Sequence, residues 1–109
     1  MNLLSSALHI HNSKFFFSKY EFTRILNCYS LGVSKGQWRD YAIFCGKKET
    51  SFYMFKHSLA SPDYTLTKTN KHKKEGIIYN LKFQNDKISR FKKIDDLLVF
   101  LNRNELKIL

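Results

Sequence analysis

The sequence predicts an α+β fold: an antiparallel meander of about five strands, with an N-terminal and a C-terminal helix packed on one face. Three observations predict it. A capping signal at Ser18 opens a stretch whose apolar residues recur with a helical rhythm. Beyond Trp38 the period changes to alternation and stays so until about Phe91. A second helical stripe then closes the chain. Strands grouped between helices, not interleaved with them, exclude a wound βαβ array.

The first helix starts at Ser18. Ser18 can accept from the Glu21 amide while Glu21 reaches back to the Ser18 amide, which makes a capping box. Phe17 and Phe22 have the spacing of a hydrophobic staple across that cap. Phe22, Ile25, Leu26, Tyr29 and Val33 then mark one buried face, and Gly36 is a natural stop, with Gly32 an earlier one. Tyr41 to Cys45 and Phe52 to Lys56 read as two strands, joined through Lys47-Lys-Glu-Thr50. Pro62-Asp63 opens a third strand, in which Tyr64 and Leu66 face one way and Thr65, Thr67 and Thr69 the other. A polar connection, Lys71-His-Lys-Lys-Glu-Gly76, leads to a fourth. There Ile77, Tyr79, Leu81 and Phe83 oppose Ile78, Asn80 and Lys82. Gln84-Asn-Asp-Lys87 is turn chemistry, and Ile88 to Phe91 makes a short fifth strand. The closing helix is expected from about Ile94 to Asn102, with Asp95 and Asp96 at its positive end and Ile94, Leu97, Leu98 and Leu101 as its stripe. His9 to Phe17 reads as one further strand ahead of the first helix.

Composition narrows the function. A chain of 109 residues is one domain, residues 1–109 with a core over about 15–107. It has room for a core but little for a deep multi-substrate cleft. Nineteen basic against nine acidic residues leave a formal charge of +10. The two cysteines, Cys28 and Cys45, form no C-x-x-C pair and are too few for a secreted disulfide scaffold, so free thiols in a reducing cytoplasm are expected. The N-terminus lacks a basic and apolar signal pattern. The longest strongly apolar run, Leu97–Leu101, is far below the roughly 20 residues of a membrane span. A cytoplasmic protein without a membrane partner is the expectation.

The run Gly36-Gln-Trp-Arg-Asp-Tyr-Ala-Ile43, with Glu21-Phe-Thr-Arg-Ile-Leu-Asn-Cys-Tyr29 before it, resembles a bacterial family catalogued as domain of unknown function 2794. Phe55-Lys56, Pro62-Asp-Tyr-Thr-Leu-Thr-Lys68, the basic stretch ending at Gly76, Tyr79 and Leu97–Leu101 follow in the family's order. Ala60, Asn70 and several lysines depart from its pattern. The resemblance spans roughly residues 15 to 107 and implies one domain in a bacterial cytosol. It implies no activity.

Candidate chemistry rests on charge. Lys68, Lys71, Lys73 and Lys74 cluster around one connection, with His72 among them; Lys87, Arg90, Lys92 and Lys93 cluster around another. If Lys68, Lys71, Lys73, Lys74, Arg90, Lys92 and Lys93 share a sheet end, they form a surface able to displace counterions from a polyanion such as RNA. The compositional alternative is AT-rich coding, since fifteen of the nineteen basic residues are Lys. With Ile43, Phe52 and Met54 toward the helices, Phe44, Tyr53 and Phe55 fall on the other sheet face. There they could stack bases, or be covered by the N-terminal segment or by a second copy in self-association. Trp38, Arg39, Asp40 and Tyr41 are the best site by residue type, but a structural corner with a buried aromatic is the stronger reading. His9-x-His11 lacks further ligands, and Cys28 sits within a helix without an identifiable base. There is no Gly-rich phosphate loop, nucleophile elbow or carboxylate pair. The sequence thus points to a non-catalytic module without metal or cofactor: an RNA or polyanion binder, with a protein-interaction or regulatory domain as the competing reading.

Overall fold

The computed structural model describes residues 15–57, 61–71, 74–84 and 86–108. Helix α1 (Lys19–Ser34) is followed by β1 (Asp40–Cys45), β2 (Glu49–Phe55), β3 (Tyr64–Thr69), β4 (Ile78–Phe83) and β5 (Ile88–Phe91), and α2 (Ile94–Ile108) ends the order. The five strands lie in chain order and each pairs antiparallel with the next. This is the expected α+β meander.

Register fixes the faces. Ile43 pairs with Phe52, Phe52 with Leu66, and Leu66 with Leu81, so these four point the same way. Both helices cover that side: Phe22, Ile25 and Tyr29 of α1 and Leu97, Leu98 and Leu101 of α2 share one core with Phe52, Met54, Leu66 and Leu81. Tyr29 packs edge-on against both Tyr41 and Phe52, whose own rings stack 5.1 Å apart. At the other flank Phe100 meets Phe83 and Phe91. The helices are tied together at Asp95, which accepts from Arg24 Nε at 3.0 Å and Tyr20 OH at 2.8 Å.

The capping box forms as its residues predict, with the Glu21 amide donating to Ser18 Oγ (3.1 Å) and the Ser18 amide donating to Glu21 Oε1 (2.7 Å). Phe17 and Phe22 lie nearly parallel, centroids 6.4 Å apart, across it. The buried stripe does not continue to Val33, which is 44% exposed. After Tyr29 the inward position is Gly32, and it is vacant for a reason: a Cβ there would stand 2.0 Å from Trp38 Cδ1. The indole fills the notch that Gly32 leaves. Gly36, at φ +75°, then ends the helix, its amide donating to Val33 O while the Gln37 amide donates to Gly32 O (2.7 Å). That pair of bonds is a Schellman termination.

Three further expectations shift. Ile77 stands just outside β4 and is exposed. α2 runs on past Asn102 because no Gly or Pro stops it. The strand expected over His9–Phe17 falls largely outside the described residues, and Phe15, Phe16 and Phe17 are not in a strand. Asp86, at φ +67°, makes the β4–β5 turn that its residue type allows.

Candidate functional site

A meander sends alternate connections to opposite ends of the sheet. The β1–β2 hairpin, the β3–β4 connection and the β5–α2 junction therefore share one end. Their contacts confirm it: the Asn70 amide donates to Lys48 O (2.8 Å), Lys71 Nζ pairs with Glu49 (3.0 Å), and Arg90 pairs with Glu75 (2.6 Å). The N-termini of both helices open at this end as well, side by side at Tyr20 and Asp95. Exposed lysines gather there: Lys19, Lys47, Lys48, Lys71, Lys74, Lys92 and Lys93. Glu21 in the first turn of α1, and Asp95 and Asp96 in that of α2, offset the partial positive charge of the helix N-termini, so the positive field at this end comes from the lysines.

The structure sorts the residues expected to bind a polyanion. Lys71, Lys74, Arg90, Lys92 and Lys93 do come to one end, although Lys71 and Arg90 each hold an acidic partner. Lys73 lies outside the described residues, as do His9, His11 and His72. Lys87 is at the opposite end, in the β4–β5 turn, where its carbonyl accepts the Phe83 amide. Lys68 does not belong to the surface at all. It is 6% exposed, in phase with Tyr64 and Leu66 on the helix-covered face.

There Lys68 Nζ donates to Glu21 Oε1 (2.8 Å) and to Phe16 O (3.1 Å), and lies 4.8 Å from the centre of the Phe15 ring. Tyr79 OH donates to the other Glu21 oxygen. Burial alone would raise the Glu21 carboxyl. Hydrogen bonds from Lys68, Tyr79 and the Ser18 amide outweigh it and hold the group below the ordinary carboxylate value. Burial, with the bond to Glu21, pushes the Tyr79 phenol up. The cluster locks the cap of α1 to β3 and β4. Lys68 therefore acts in folding and is withdrawn from any ligand surface.

The helix-free face is built from Asp40, Ala42 and Phe44 of β1, Ser51, Tyr53 and Phe55 of β2, the β3 threonines, and Asn80, Lys82, Ile88 and Arg90. Of the three expected aromatics, Phe44 is 50% exposed and Tyr53 is half-buried, whereas Phe55 is buried and offers no ring to a ligand. Ser51 and Thr67 share a hydrogen bond of 2.8 Å across this face. Asn80 Oδ1, in the same row, is buried and has no partner among the described residues.

Trp38 to Tyr41 form the corner between α1 and the sheet. The Trp38 ring meets Tyr64 edge-on at 5.2 Å and carries Lys56 Nζ 5.7 Å from its centre. Asp40 Oδ1 accepts the Tyr41 amide (2.8 Å), and Tyr41 stacks in the core. A family model described as "Protein of unknown function (DUF2794)" matches residues 15–97, from the phenylalanines before α1 into α2. The chain belongs to the DUF2794 family. No curated protein and no solved structure matches it. In this DUF2794 chain the matched stretch contains the capping box, the Glu21–Lys68–Tyr79 cluster, the Trp38 corner and all five strands.

Among the described residues, no three of His, Cys, Asp and Glu gather to hold a metal ion. Both cysteines are free and half-buried, and burial raises the Cys28 thiol, the opposite of nucleophile activation. No helix among them is long and apolar enough to cross a membrane. Reading the sequence missed Lys19, Lys47 and Lys48 as members of the basic end, since only the strand register brings them there.

Proposed function

We propose that this DUF2794 protein is a non-catalytic module that binds single-stranded nucleic acid, RNA in the first instance, in the bacterial cytoplasm. The observation that carries the reading is the convergence of Lys47, Lys48, Lys71, Lys74, Lys92 and Lys93 at one sheet end. Phosphates are the ligand such a surface suits, because each lysine that replaces a condensed counterion releases it to solution. Phe44 stands on the helix-free face, with only Cys45 and Gly46 between it and the Lys47–Lys48 turn. A strand whose phosphates follow the lysines can therefore lay a base on that ring. The free cysteines suit a reducing compartment.

Fluorescence anisotropy of a labelled oligouridylate, titrated at several salt concentrations, tests this. Exchanging Lys71, Lys73 and Lys74 for Gln should lower affinity and flatten the slope of log affinity against log salt by roughly 0.7 for each phosphate no longer neutralised. Phe44→Ala should cost about 1–3 kcal/mol of binding, the worth of one stacked base. Wild-type protein that binds nothing at low salt rejects the reading.

A further inference from the structure

The two edges of the sheet differ. β5 is four residues long, contains Arg90, and runs directly into Lys92 and Lys93. Short, charged edges of this kind resist pairing with another strand. β1 is the other edge. It has six residues, and from Tyr41 to Cys45 it holds no charge and no proline. It exposes Ile43 on one side and Phe44 on the other.

The backbone of β1 is poised for a partner. The Gly46 amide donates to Glu49 O (2.8 Å), and alternation from there turns the amides and carbonyls of Phe44 and Ala42 toward β2. Those of Tyr41, Ile43 and Cys45 point away from the sheet. The Tyr41 amide is already taken by Asp40 Oδ1. β1 has no strand on its outer side, and the Ile43 and Cys45 donors and the three outward carbonyls have no backbone partner among the described residues.

We propose that two copies of this chain associate by antiparallel pairing of β1 with β1 about a two-fold axis at Ile43, which joins their sheets edge to edge. The pattern of the strand selects a second copy as occupant. An axis at Ile43 sets Ile43 opposite the partner's Ile43, so that each amide meets the other's carbonyl. It sets the Cys45 amide against the carbonyl of the partner's Tyr41; the reciprocal donor, the Tyr41 amide, faces the partner's Cys45 carbonyl and exchanges Asp40 Oδ1 for it. On the helix-free face the large Phe44 falls beside the partner's Ala42, large against small in both directions. Charge agrees: Asp40 begins the strand, and the Lys47–Lys48 turn follows its end, so antiparallel alignment brings the carboxylate next to the partner's Lys47.

Sedimentation equilibrium from micromolar to several hundred micromolar, under reducing conditions, reads the mass directly. The expected result is a rise toward twice the 13.0 kDa of one chain. Ile43→Pro deletes the outward amide and leaves the β1–β2 ladder intact, since proline is tolerated on an edge strand where the amide faces outward. It should remain at monomer mass with an unchanged circular dichroism spectrum. Should that variant misfold, amide hydrogen exchange of the wild type decides: the Ile43 and Cys45 amides should slow as concentration rises. A wild type at monomer mass throughout, with exchange at Ile43 and Cys45 independent of concentration, overturns the proposal. So does a folded Ile43→Pro variant that dimerises like its parent.

Discussion

Gly32→Ala isolates the contact on which the corner of the fold depends. The added Cβ would lie 2.0 Å from Trp38 Cδ1 and 2.1 Å from Nε1, where ordinary contact begins near 3.4 Å. The indole must retreat by more than an ångström. It has little freedom to do so, being 3% exposed and set against Tyr64. Overpacking of this kind costs about 1–3 kcal/mol. Complete loss of the Trp38 packing, as in Trp38→Ala, costs roughly 3–5 kcal/mol and sets a ceiling. Against this, alanine is favoured over glycine inside a helix by about 1 kcal/mol. A 2.0 Å approach belongs at the upper end of the overpacking range, so the net expectation is a loss of roughly 2 kcal/mol, equivalent to a fall in melting temperature on the order of 10 °C for a domain of this size. Urea denaturation followed by tryptophan fluorescence measures it, because Trp38 is the sole tryptophan. The variant's emission should also shift to the red. A Gly32→Ala protein as stable as its parent, with unchanged emission, would refute the packing argument.

Ser18→Ala removes the acceptor for the Glu21 amide and should cost about 1 kcal/mol in the same assay. Lys68→Gln strands the buried Glu21 carboxylate and should cost on the order of 3–5 kcal/mol, while Lys74→Gln, in solvent, should stay within about 0.5 kcal/mol. Equal effects at the two lysines would contradict the separation of structural from surface charge. The pH dependence of stability follows from the same cluster. The folded-state pKa of Glu21 is lowered, so its contribution is present above its ordinary value of 4.5 and is lost as pH falls through the folded value. Glu21→Gln should therefore be less stable at neutral pH but flatter on acidification, as read by urea midpoints at a series of pH values. Tyr79 mirrors it: its folded pKa is raised, so its contribution holds below 10 and is lost only in strong alkali.

Local physics made most of the fold legible. Ser18 and Glu21 satisfy each other across three residues, and alternation in Tyr64–Thr69 or Ile78–Phe83 needs no distant partner to declare a face. The same alternation carried the signal that Lys68 is buried, for it shares its phase with Tyr64 and Leu66. Residue type pointed to solvent and position pointed to the core. Position prevailed because Glu21 Oε1 and the Phe16 carbonyl accept the hydrogen bonds that a buried ammonium requires. Gly32 was open to misreading for a similar reason: its role depends on an indole six positions later folding back over it. The basic end was only partly legible. Lys71 and Lys92 are brought together by three strands' worth of register, and the contribution of Lys47 and Lys48 depends on the Asn70 bond that draws the hairpin to the β3–β4 connection.

One end of this molecule is proposed to take up the phosphates of a single strand. An NMR titration of isotope-labelled protein with oligouridylate at low salt tests it residue by residue. Amide shifts should concentrate at Phe44–Glu49, at residues 71–77 and at Lys92–Ile94. The opposite end, at Lys35–Gly36, Lys56–His57 and Asp86–Lys87, should remain unperturbed. Shifts centred on that opposite end, or a spectrum unchanged by the oligonucleotide, would contradict it.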